Sequence, residues 1–130
     1  MKNETLLHDF LKSNGFTPIE NDSSQFFGDH FDIYSNGEIS IRFGSSKALK
    51  TIDVAHHLDS NQWFDLALIM ALINDEQDLS KVTTVNQFKV FLEKHLLKIC
   101  ELFNAQNYNS TKEKIEVLEH KRVKQMFPGI

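Results

Sequence analysis

Asp53, His56 and His57 bring one carboxylate and two imidazoles close together in the chain. Zinc and iron accept such ligands. Asp53 and His57 are four residues apart, so they point the same way on a helix or on a strand. A third ligand would have to come from His30 or His95 through folding. The surrounding pattern does not support a metal centre. The chain has no His-Glu-x-x-His motif, no cysteine cluster and no second short-spaced histidine pair. Polar residues at a strand end are the simpler reading, and neither a metal nor another cofactor is expected.

The other reactive groups are equally sparse in context. Cys100 is the single cysteine, so no intramolecular disulfide can form. A nucleophilic thiol needs a base and a depressed pKa. Only His95 and His120 offer themselves, and spacing places neither beside it; Cys100 reads as a small helix-packing residue. Carboxylates are plentiful, but acid–base work on a glycoside needs two of them at a set distance across a cleft. The acidic run Asp75, Glu76, Asp78 also lacks the alternating ligands and glycine of a calcium loop. Phe43-Gly44-Ser45-Ser46-Lys47 lacks the full phosphate-loop pattern. No catalytic residue is assigned.

What remains is charge. The first 80 positions carry thirteen acidic and five basic residues, whereas the last 50 carry nine basic and five acidic. The net charge is −4, but the two parts have opposite signs. A two-signed surface suits a domain that docks on another macromolecule. The candidate protein-binding surface consists of Asp29, Asp32, Tyr34, Glu38, Asp75, Glu76 and Asp78. Tyr34, beside a hairpin tip, would supply a less strongly hydrated contact. Trp63 opens an apolar segment and is read as a core residue. Lys112, Lys114, Lys121, Arg122 and Lys124 would attract phosphates, but Glu113, Glu116 and Glu119 lie among them. That mixture equally suits a solvated helix with internal ion pairs.

The elements that must position these groups follow from periodicity. At 130 residues with 41% hydrophobic content and eleven phenylalanines, the chain fits a single domain spanning 1–130. Leu6, Leu7, Phe10 and Leu11 predict a helix over 4–14, stopped at Asn14-Gly15. Residues 16–20 suit a short strand, in which Pro18 fits only an edge or an entry, and 21–29 read as loop. Alternation around Asn36-Gly37 predicts a hairpin of strands 30–35 and 38–43. Phe31, Ile33, Ile39, Ile41 and Phe43 would face the core. A further strand is expected over 48–55.

Asp59 and Gln62 resemble a capping box for an apolar helix near 60–74, although continuous burial also fits a central strand there. Thr84 and Gln87 cap a long helix over 85–104. Ser110 and Glu113 suggest a box for the last helix, which carries Ile115, Leu118, Arg122 and Met126 at spacings of three or four. The expected fold class is α+β: an N-terminal helix, a three- or four-stranded antiparallel sheet, then three helices packed on one sheet face.

Phe10-Leu11-Lys12-Ser13-Asn14-Gly15-Phe16, Phe31-Asp32-Ile33-Tyr34-Ser35-Asn36-Gly37, Ile39-Ser40-Ile41-Arg42-Phe43 and Trp63-Phe64-Asp65-Leu66 form a layout spanning about half the chain. This layout resembles small bacterial immunity proteins that accompany polymorphic toxins. The resemblance implies a stoichiometric inhibitor whose acidic surface covers a toxin site, and it transfers no binding residue. The expected function is a non-enzymatic protein-interaction module, with a protein partner and as monomer or homodimer. One alternative is a nucleic-acid-associated module using the basic C-terminal helix; another is a small metal-dependent enzyme. The start of the chain lacks an apolar signal segment, and no stretch approaches a membrane span, so cytoplasmic residence is expected.

Overall fold

The computed structural model describes residues 2–24, 29–46, 49–57, 59, 62–81 and 83–129; at 2–5, 20–24, 29–31, 45–46 and 49–50 it describes backbone alone. The chain runs α1 (Lys2–Ser13), β1 (Thr17–Ser24), β2 (Asp29–Ser35), β3 (Ile39–Ser46), β4 (Leu49–His56), β5 (Phe64–Asp65), α2 (Leu66–Asn74), α3 (Val85–Leu102) and α4 (Tyr108–Met126). The α+β class holds. The sheet is a five-stranded antiparallel meander in chain order, one strand larger than the upper expectation. The surplus arises at both edges. β1 and β2 extend by pairing with each other through residues first read as loop, and β5 is a two-residue strand taken from the start of the expected apolar helix. Pro18 lies on edge strand β1, beside a register shift between Pro18 and Glu20. An edge is where a missing N–H costs no ladder bond.

The β2–β3 register corrects the expected core face. Ser35 pairs with Ser40, Tyr34 with Ile41 and Asp32 with Phe43. An even number of turn residues pairs odd positions with even ones, so odd residues of β3 share a face with even residues of β2. Ile33 therefore cannot join Ile39, Ile41 and Phe43 on the core side, and the side chain of Phe31 lies outside the described residues. Tyr34 takes that place instead, with only 6% of its surface exposed. Tyr34, Ile41, Val54 and Phe64 form one row across four strands, and all four are buried. The turn is also centred one residue later than expected. Gly37 adopts φ +89°, whereas Asn36 keeps negative φ and uses its side-chain oxygen to accept the N–H groups of Glu38 and Ile39, each at 2.9 Å. Such side-chain mimicry of a backbone turn is what asparagine offers.

All four helices supply one core. Leu7 and Leu11 of α1, Leu66, Leu68 and Ile69 of α2, Phe88, Phe91, Leu92 and Ile99 of α3, and Ile115 of α4 join the row on the sheet. α1 packs on the same side as the later helices, since His8 touches both Tyr34 and Phe43. The expected Thr84–Gln87 box is formed reciprocally at the start of α3. Two other expected boxes are not. Asp59 accepts a hydrogen bond from the Tyr108 hydroxyl at 2.7 Å, and Asp65 caps α2 in its place. α4 begins two residues before Ser110. Thr111, 2% exposed, donates its hydroxyl to the Leu102 carbonyl at 2.6 Å and ties α4 to the end of α3. No helix among the described residues is long and apolar enough to cross a membrane.

α2 ends on a left-handed residue that is not glycine: Asp75 has φ 54° and ψ 47°. The Ala71 carbonyl accepts the N–H groups of both Asp75 and Glu76 across this turn. A Cβ makes the left-handed region costly, and glycine is the usual solution. Asp75→Gly is therefore expected to stabilise the fold by about 0.5–1 kcal/mol, measured as a raised urea midpoint at unchanged slope. A lowered midpoint would mean that the aspartate side chain contributes more than its backbone strain removes.

Candidate protein-interaction surface

The seven residues of the expected surface do not form one patch. Asp75, Glu76 and Asp78 stand together, all exposed, in the loop between α2 and α3. Glu38 is exposed at the β2–β3 turn. Its carbonyl accepts a hydrogen bond from the His57 N–H at 3.2 Å. That turn also lies against the end of α3, where the Asn36 amide meets Cys100 Sγ at 3.7 Å. The acidic loop lies against the far end of α4, where Gln125 holds it. The 19 residues of α4 span about 28 Å, and that length separates the two acidic groups. Asp29 opens β2 opposite Ser24, about 20 Å along the strand from the turn; its side chain lies outside the described residues. Asp32 is half-buried, in register with Phe43 on the core side of the sheet.

Tyr34 leaves the surface altogether. Its hydroxyl lies 2.6 Å from His8 Nδ1, and its ring meets Phe43 edge-on at 6.0 Å between centroids. Burial, with the nearby Asp32 and Asp9 carboxylates, pushes its hydroxyl pKa up. The residue expected at a hairpin rim is a core tyrosine with its polar tip satisfied.

The acidic loop is a built structure. Leu79 is buried at 8% exposure beneath it. The Leu79 N–H donates to Gln125 Oε1 at 2.7 Å, and Gln125 Nε2 donates to the Gln77 carbonyl at 2.9 Å. Asp78 Oδ1 accepts from the Ser80 N–H at 3.0 Å and from the Ser80 hydroxyl at 2.6 Å. These bonds hold the Asp78 carboxyl below the usual aspartate range, so it stays ionised. Glu76 faces Lys81 at 3.7 Å, and both are largely exposed, so this pair leaves the local potential negative.

A second feature was not legible as a site in the chain. On the side of the strands opposite the Tyr34, Ile41, Val54 and Phe64 row, the Arg42 guanidinium lies over the Trp63 ring, 4.6 Å from its centroid, and binds Asp53 Oδ2 at 3.0 Å. Asp53 is in register with Asp65, which binds Arg122 of α4 at 2.7 Å. The order Arg42, Asp53, Asp65, Arg122 sets two neighbouring carboxylates between two cations. Burial, with Asp65 adding to it, raises the Asp53 pKa against the lowering pull of Arg42 and Arg122. Trp63, expected in the core, is half-buried on this side. The register places Arg42, Asp53 and Asp65 on one side once the strands are paired; no local spacing encodes it.

The reactive groups singled out in the chain are engaged elsewhere. Asp53 and His57 are four residues apart along extended chain, about 13 Å, too far to share a metal ion. His56 is buried, with its ring 4.8 Å from Tyr108 and 4.9 Å from His57 between centroids. Among the described residues no three His, Cys, Asp or Glu side chains gather as a metal site. Burial pushes the Cys100 thiol up, outweighing the Asn36 hydrogen bond. The thiol is therefore protonated at neutral pH, and a thiol-exchange reagent is expected to react at least about tenfold more slowly with Cys100 than with free cysteine at pH 8. Reaction as fast as free cysteine would mean an accessible thiolate. On α4, Lys114, Lys121 and Lys124 are exposed, but Arg122 is committed to Asp65. Comparison with protein-family models, with curated proteins and with solved structures finds no match to this chain.

Proposed function

We propose that the chain is a non-enzymatic protein-interaction module that presents the acidic loop Asp75–Asp78 to a basic partner. One observation carries this reading: three exposed carboxylates within four residues are held on a loop clamped to α4 by Gln125. A pre-ordered loop loses less conformational freedom on binding than a floppy one. Asp75 reinforces the point. An aspartate kept where glycine fits the backbone better costs stability, and such a trade is common where a side chain serves binding. The finer form of the proposal is occlusion, as in toxin immunity: a one-to-one complex in the cytoplasm in which the loop covers a cationic toxin surface.

Neutralising the loop with Asp75→Asn, Glu76→Gln and Asp78→Asn together tests the reading. Affinity purification from the native cell is expected to yield a stoichiometric basic partner that survives chelation. The triple variant should bind it roughly tenfold more weakly, mainly through slower association, with less salt dependence. Unchanged binding by a folded triple variant defeats the acidic-loop assignment. A complex dissolved by chelation, or retained only through Lys121, Arg122 and Lys124, moves the function to another class.

A further inference from the structure

We propose that the groove between α2 and α3 is a binding site for a small carboxylate with an apolar body. This proposal does not rest on the acidic-loop reading, and the groove meets that loop only at Asn74, next to Asp75. The groove has a volume of about 340 Å3. Its apolar wall is made by Met70 of α2 and by Val90 and Phe91 of α3. The groove is open along one side, so a bound chain keeps one flank in solvent.

The polar lining selects the head group. Lys94 and His95 stand on the α3 side, with the amides of Asn74 and Asn86 nearby. Among the described residues no carboxylate lines the groove, although the protein as a whole carries net charge −4. Among the described residues Lys94 makes no ion pair and is exposed, so its ammonium is available to a ligand. The His95 ring rests against Phe91, 4.7 Å between centroids, which sets an aromatic surface beside the cation. An apolar wall with a few placed donors is the usual composition of a small-molecule site. A cation without a counter-ion makes the complementary ligand an anion, and the planar amides favour a carboxylate over a bare alkyl chain.

Sodium octanoate, which has ten non-hydrogen atoms in its anion, is the direct probe. It is titrated into the full chain at constant ionic strength and followed by amide chemical shifts. Saturable shifts are expected at Asn74, Asn86, Val90, Phe91 and Lys94, with a dissociation constant on the order of millimolar for a ligand of this size. Lys94→Glu should weaken binding at least about fivefold at unchanged melting temperature, because it replaces attraction with repulsion on an exposed helix position. 1-Octanol and octylammonium should bind more weakly than octanoate. Linear, non-saturating shifts overturn the proposal. So does equal affinity for all three chain molecules, which would make the groove a mere apolar crevice, or full retention of octanoate by Lys94→Glu.

Discussion

Phe103→Ala is expected to remove about 3–5 kcal/mol of unfolding free energy, a large share of the roughly 5–15 kcal/mol typical of a domain. Phe103 follows the last turn of α3 and is 1% exposed. Its ring meets Phe64 of the sheet at 5.8 Å and Tyr108 of α4 at 6.0 Å between centroids. It thus joins the sheet edge to the α3–α4 corner, where three elements meet. Truncation loses the transfer energy of the ring and leaves a cavity that these elements cannot close independently. The melting temperature should fall by about 10–25 °C. Leu97→Ala is the matched control. Leu97 is 86% exposed on α3, and its truncation should stay within about 0.5 kcal/mol. A loss below about 1 kcal/mol for Phe103→Ala, measured by urea unfolding, would mean that the corner is not packed as described.

Asp65→Ala should cost about 1.5–2.5 kcal/mol, because one side chain serves two elements. Asp65 Oδ1 accepts the Ala67 N–H at 2.9 Å and caps α2, while Oδ2 takes Arg122 of α4 at 2.7 Å. Asparagine caps about as well as aspartate but carries no charge. Asp65→Asn should therefore keep the cap and lose only the ion pair, for less than half the cost. In a double-mutant cycle with Arg122→Ala the coupling is expected at about 0.5–1 kcal/mol, since both side chains are partly exposed. Additive single losses would show that Arg122 contributes nothing through this contact.

The same pair of variants reads out Asp53. Its folded-state pKa is raised, so between the ordinary and the raised value the folded state holds more protons than the unfolded state. Its contribution to stability is fully present below the ordinary aspartate pKa and is lost as pH rises through the raised value. Asp65→Asn removes a neighbouring negative charge and frees Arg122, both of which lower the Asp53 pKa. The fall in stability with rising pH above the ordinary aspartate range should be shallower in that variant. An unchanged slope would separate Asp53 from its neighbour.

The local signals in the chain placed the elements well wherever a residue answers to its near neighbours. The Thr84–Gln87 box and the stripe Phe88, Phe91, Leu92, Ile99 mark α3 because a helix reads spacings of three and four. Pro18 limited its strand to an edge or an entry because a missing N–H is a local fact, and β1 is the edge. Tyr34 went wrong for the opposite reason. Alternation shows that two sets of residues face opposite ways, but only the pairing with β3 decides which set is inside. Asp59 and Ser110 had the form of capping residues. Tyr108 took the first through a bond spanning 49 residues, and α4 begins before Ser110, with Thr111 tied to the Leu102 carbonyl.

The candidate surface divides along the same line. That the residues near 75–78 are acidic and lie between two helices was legible in composition and spacing. That Glu38 and this loop stand at opposite ends of α4, and that Arg42, Trp63, Asp53, Asp65 and Arg122 meet, came from strand register and helix docking. The amino-acid sequence by itself determined the α+β class, the hairpin, the long third helix and the two-signed charge, since these depend on residues a few positions apart. The tertiary structure alone decided which strand face is buried, which carboxylates are neighbours and where a groove opens. Those outcomes depend on contacts between residues tens of positions apart, whose energies exist only once the layers have packed.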